Sequence, residues 1–124
     1  GSVSVLELAQ RFPNEFKGLI IESGISNESL LFKLIGVSAE DVGYKKEDGF
    51  QNIEKMKQYH GPLLVIHAEQ DHIVPFIQGE ELVKLCPSKK KKLVPIANAN
   101  HNNILGVNPQ LYFEEVTQFI NGLK

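Results

Sequence analysis

Apolar residues recur along this chain in blocks whose spacing changes from helical to strand-like and back. Val5, Leu8, Ala9 and Phe12 are spaced to form one face of a helix over residues 1–12. Pro13-Asn14-Glu15-Phe16 breaks that pattern. Lys17-Gly18-Leu19-Ile20-Ile21-Glu22 follows as a short, nearly continuous apolar run, which predicts a parallel strand buried on both faces. Ser23-Gly24 ends it. Residues 26–61 then change character. Ser26 or Asn27 can cap a helix through Ile35, with Gly36 as its stop. Val37 to Gly49 is polar and rich in turn formers, and a second helix is predicted from about Phe50 to Tyr59, burying Ile53, Met56 and Lys57. The stretch exceeds a minimal connection between strand and helix. It reads as a small helical cap followed by a crossover helix.

Residues 62–101 carry the clearest alternation of elements. Leu63-Leu64-Val65-Ile66-His67 is an apolar strand ending in the polar turn Ala68-Glu69-Gln70-Asp71-His72. Pro75 suits the first turn of a helix with Ile77, Leu82, Val83 and Leu85 as its apolar residues, and Pro87 stops it. Lys89 to Lys92 read as a solvated bend that keeps a sheet edge soluble, with a phosphate-binding patch as the lesser alternative. Leu93-Val94-Pro95-Ile96 is a third strand, closing on Ala97-Asn98-Ala99-Asn100-His101. Beyond it, Asn102 and Asn103 are placed to cap the next segment. A final helix from about Gln110 to Gly122 offers Leu111, Phe113, Val116, Phe119 and Ile120 as a buried stripe.

This order predicts one α/β domain over residues 1–124, with three parallel strands and helices on both faces. Strands joined through a helix run parallel with a right-handed crossover. Their C-terminal ends therefore share one edge of the sheet, where ligands bind in open α/β folds. Asp71 and His101 follow the second and third strands and so arrive at that edge together. An acid beside a histidine is half of a nucleophile–base–orienter constellation.

Composition narrows the function classes. A length of 124 residues, 42% hydrophobic and 23% charged, is that of one ordinary globular domain. The net charge of −2 argues against a nucleic-acid partner. No apolar run reaches membrane-spanning length, and no signal peptide opens the sequence. The single cysteine, Cys86, excludes an internal disulfide framework; it fits a buried thiol in a reducing compartment, with the cytoplasm as the expected location. Metal-ligand spacings, phosphate loops and dinucleotide-binding glycines are absent, so no cofactor is expected.

With these pieces in place, the chain resembles the C-terminal half of an α/β-hydrolase. His67-Ala68-Glu69-Gln70-Asp71-His72-Ile73-Val74-Pro75 follows the family's acid turn, H-G-x-x-D-x-x-V-P, departing only at Ala68. Asn98-Ala99-Asn100-His101 follows the histidine turn, G-x-x-H, with Asn98 in place of glycine; Asn tolerates a left-handed conformation. The resemblance implies a partial α/β-hydrolase fold in which Asp71 orients and His101 acts as base on an ester or thioester. It also implies a serine on a G-x-S-x-G elbow, with oxyanion donors from the residue after the serine and from an early loop. No serine here fits that pattern: Ser2 has nothing two places before it, and Ser4 lies between Ser2 and Leu6. Counting back from Pro13 makes Gly1 the last glycine of the elbow and puts the serine two positions earlier. Alternatively, Gly1 and Ser2 are a cloning remnant. Both readings leave the nucleophile outside the chain, which is then expected to be inactive alone and to need an N-terminal half.

Other residues compete for roles at the same edge. Glu22 is the rival orienting acid. His67 suits a hydrogen-bonded turn position or a ligand contact, His72 a solvated turn, and His60 a Gly-Pro turn. Leu30, Leu31, Phe32, Leu34 and Ile35 would serve an acyl pocket or a packed cap equally well. Three functions remain: a serine esterase or thioesterase, a non-catalytic fragment or interaction domain of the same fold, and a serine peptidase.

Overall fold

The computed structural model describes residues 1–27, 36 and 51–124. Among them the elements run α1 (Ser2–Arg11), β1 (Leu19–Glu22), α2 (Asn52–Lys57), β2 (Leu63–Ala68), α3 (Phe76–Leu85), β3 (Lys91–Ile96), α4 (Ile104–Val107) and α5 (Pro109–Gly122). The strands form one parallel sheet in the order β1-β2-β3. Its register pairs Leu19 with Leu63 and Val65 with Leu93. The expected three parallel strands in chain order, flanked by helices, are present. The expected helix over 28–35, the polar stretch 37–49 and the apolar residues between Leu30 and Ile35 lie outside the described residues.

Side chains alternate across a strand, so the sheet sorts its apolar residues into two layers. Leu19, Ile21, Leu63 and Val65 meet Leu6, Ala9, Met56, Leu82 and Cys86 on one face. Leu64, Ile66, Ala68, Val94 and Ile96 meet Ala99 and Ile104 on the other, where Leu111, Tyr112, Val116 and Phe119 of α5 cover them. β2 is buried at all six positions, because among the described strands it alone has a strand on each side and helices on both faces.

The helical stripes differ from those expected. α1 buries Ser2, Leu6 and Ala9, while Leu8 and Phe12 are exposed. Two apolar rows 100° apart compete on this helix, and the row facing Leu19 and Met56 wins. α2 turns Asn52 and Met56 inward, leaving Lys57 exposed. In α3 the buried residues are Gln78, Gly79 and Leu82, and Ile77 faces solvent. On α5, Phe113 and Ile120 are exposed, and Tyr112 takes the position toward the sheet. β1 is buried on one face only: Ile20 and Glu22 lie beyond the full cover of α5.

Lys91 and Lys92 belong to β3 and not to a bend. Lys91 donates to the Cys86 carbonyl at 2.7 Å, satisfying an acceptor at the C-terminal end of α3. Lys92 pairs with Glu115 at 2.7 Å and links β3 to α5. Cys86 is buried as expected, and burial pushes its thiol above the ordinary value.

Candidate active site

β2 and β3 end side by side, and their following turns are tied together through the backbone. The amide of Glu69 donates to the Ile96 carbonyl at 3.1 Å, and that of Gln70 to the Ala99 carbonyl at 3.0 Å. Ala99 is fully buried and anchors the second turn in the core. Asn98 turns the chain with a φ of 62°, the left-handed conformation anticipated from the Asn-for-Gly exchange. Asn100 then accepts from the amides of Asn102 and Asn103 at 2.9 and 3.1 Å. Asn103 stands at the N-cap of α4 without a capping side-chain bond; its oxygen accepts from the Asn100 amide at 2.7 Å instead. These bonds close the turn that carries His101.

Asp71 lies in an equally determined turn. Its Oδ1 accepts from the amides of Ile73 and Val74 at 2.9 and 2.7 Å, closing an Asx-type turn. Oδ2 lies 2.9 Å from His101 Nδ1. The carboxylate is wholly buried, whereas the His101 side chain keeps 33% of its exposure. A carboxylate accepts, so Nδ1 carries the hydrogen and Nε2 presents its lone pair. No described residue bonds that Nε2. The arrangement can take a proton from a hydroxyl brought within hydrogen-bond reach.

The remaining candidates make no hydrogen bond to this pair. Glu22 accepts from the Tyr112 hydroxyl at 2.6 Å and makes no bond to a histidine. That bond, together with burial, pushes the Tyr112 hydroxyl up to about 12, burial being the larger cause. His72 and His60 are exposed. His67 is completely buried at the end of β2, with Nε2 2.7 Å from the Val74 carbonyl and 3.6 Å from Asp71 Oδ2.

Hydrophobic patterning passed over a polar group beside this edge. Gln78 Oε1 accepts from the amides of Ser26 and Asn27 at 2.9 and 3.2 Å. Ser2 Oγ accepts from the Ile25 amide at 3.0 Å, and Asn52 donates to the Ile25 carbonyl at 2.6 Å. Together they hold the loop that leaves β1. Polar residues at core-facing helix positions give no hydrophobic signal, so only their contacts reveal them. Among the described residues no cluster of His, Cys, Asp and Glu could hold a metal ion.

Comparisons with known proteins bear on the family and the fold. The model of the prolyl oligopeptidase family matches residues 1–122. The chain is 34% identical over 77 residues to alpha/beta hydrolase domain-containing protein 17C of Mus musculus, covering 60% of the chain and 22% of that protein. It is 27% identical over 124 residues to protein 17B of that series from Homo sapiens, covering 98% of the chain and 38% of the relative. The chain thus spans 22% to 38% of these relatives' length. Among solved structures, the Paleococcus ferrophilus monoacylglycerol lipase superposes with a TM-score of 0.72 at 12% identity, over 100% of this chain and 66% of that one. Est1E from Butyrivibrio proteoclasticus gives 0.75 at 21% identity, over 99% and 57%. The fold is that of part of an α/β-hydrolase.

Proposed function

The chain belongs to the prolyl oligopeptidase family, within the α/β-hydrolases, and from that premise we propose that it supplies the acid and base of a Ser-His-Asp hydrolase acting on a carboxylic ester or thioester. One observation carries the reading: Asp71 Oδ2 stands 2.9 Å from His101 Nδ1 while its other oxygen is held by two amides. Asp71 orients the ring and stabilises the imidazolium that forms; His101 takes the nucleophile's proton and returns it to the leaving group. The ester substrate class is supported by the fold shared with a monoacylglycerol lipase.

The nucleophile comes from outside these residues, because no serine among the 124 lies in G-x-S-x-G. On this reading the chain has a base and its orienter but no serine in the elbow pattern, and it is inactive until joined by a segment carrying the serine and the oxyanion donors. A free buried cysteine fits a reducing compartment, and the cytoplasm is the proposed location. The description of the matching family favours a second reading, a serine peptidase using the same two residues.

The test is an assay of the purified chain with an activated short-chain ester, a thioester and a proline-containing oligopeptide. No turnover is expected from the chain alone. Activity should appear when an upstream segment with its serine is restored, and His101→Ala should then lower it by about 10⁴–10⁶-fold. Cleavage of the peptide selects the peptidase even where the activated ester is also cleaved, since the same nucleophile attacks an ester more easily than an amide. Turnover by the chain alone that is lost in both His101→Ala and Ser2→Ala would place the nucleophile at Ser2 and overturn the assignment.

A further inference from the structure

We propose that His67 is a positioning residue: it locks the turn that aims Asp71 at His101. The inference rests on reading Asp71 and His101 as acid and base. His67 is the fifth residue of β2 and has no exposed surface. Its ring is pressed between the sheet and α3, edge-on to Phe76 with centroids 5.8 Å apart. Nε2 is 2.7 Å from the Val74 carbonyl oxygen. A carbonyl only accepts, so Nε2 carries the hydrogen and, in the neutral ring, Nδ1 is bare.

The opposite side of the ring is consistent with that tautomer. Nδ1 is buried without a hydrogen-bond partner. It faces Gly79 so closely that a β-carbon there would lie 2.7 Å from it. A hydrogen on Nδ1 would point into the helix with nothing to accept it. The bond to Val74 is thus the ring's one conventional polar contact, with Asp71 Oδ2 a longer neighbour of the same nitrogen at 3.6 Å.

Val74 is held at both ends of its backbone. Its amide donates to Asp71 Oδ1 at 2.7 Å, and its carbonyl accepts from His67. Fixing Val74 fixes Oδ1, and with Oδ1 and the backbone of Asp71 both placed, the direction of Oδ2 toward His101 follows. An apolar side chain of similar size would fill the same space without leaving a buried nitrogen unpaired. The polar ring is explained by the bond it makes to the acid turn. Outer partners of this kind orient functional side chains and set their tautomers.

The experiment is ring-nitrogen NMR on the ¹⁵N-histidine-labelled 124-residue chain, at a pH where the rings are neutral, with each histidine assigned by substitution. In the wild type, His67 should show a bare Nδ1 and a protonated Nε2, and His101 the reverse. His67→Gln brings an amide nitrogen to the position of Nε2 and should leave the His101 signature unchanged. His67→Asn, whose amide is too short to reach Val74, and His67→Leu should both shift His101 toward its Nε2–H form, while circular dichroism shows the fold retained. A wild-type His67 with its hydrogen on Nδ1 overturns the proposal. So does a His101 signature that is unchanged in folded His67→Asn or His67→Leu. If the leucine variant does not fold, the wild-type tautomer and the glutamine–asparagine pair decide alone. Asp71→Asn separates the two levels: it should move His101 whatever His67 does. A His101 signal insensitive to Asp71→Asn removes the acid–base reading, and the positioning role with it.

Discussion

Asp71 commits its two oxygens to different kinds of partner, one to backbone amides and one to an imidazole. That division lets a single buried side chain define a turn and orient an imidazole. Two tyrosines show what burial does to an ionisable group. Burial pushes the Tyr59 hydroxyl from 10.0 up to about 12, as it does that of Tyr112. The folded chain therefore holds both phenolic protons more tightly than the unfolded chain. The stability this contributes is fully present below pH 10 and is lost as pH rises through about 12. Phenolate absorbance during an alkaline titration should show these two rings ionising well after a free tyrosine. Urea midpoints should fall across the same window, and less steeply in Tyr112→Phe. Ionisation of both rings near pH 10 would contradict the burial argument.

Among the elements, α3 is the one whose interior faces the site. Gln78 and Gly79 occupy its buried row together with Leu82, although neither is an apolar signal of any strength. Gly79 is there for space, since a β-carbon would meet the ring of His67 at 2.7 to 3.2 Å. In an exposed helix, Gly→Ala adds about 1 kcal/mol of stability. At position 79 the sign should reverse, because forcing an atom into a filled core costs about 1–3 kcal/mol. Urea unfolding of Gly79→Ala measures this, and a stabilised variant would show that the ring moves aside freely.

Over the whole molecule, β2 is the member that both layers share. Leu64 lies in it at 1% exposure, whereas Phe113 on α5 is 56% exposed. Leu64→Ala should cost about 2–5 kcal/mol, a large part of the roughly 5–15 kcal/mol that holds a domain together. Phe113→Ala should change stability by less than about 0.5 kcal/mol. Equal losses in the two variants would mean that α5 packs through the face its hydrophobic pattern suggested.

Local pattern was sufficient for the three strands, their parallel order and the pairing of the acid and histidine turns. Strand length, turn residues and the H-x-x-x-D and N-x-x-H spacings are short-range properties that neighbouring residues encode. Asn98 is an example: its ability to adopt a positive φ is intrinsic, and it adopts one here. Which row of a helix goes inward is not local. On α1 and its C-cap, Leu8 and Phe12 are more apolar than Ser2, yet Ser2 is buried, since it bonds the Ile25 amide and its row faces the sheet. His67 and Gln78 are likewise unreadable as buried until β2, α3 and the two loops are packed together. Burying a polar atom is favourable only when a specific partner waits for it, and those partners lie up to 52 residues away in the chain.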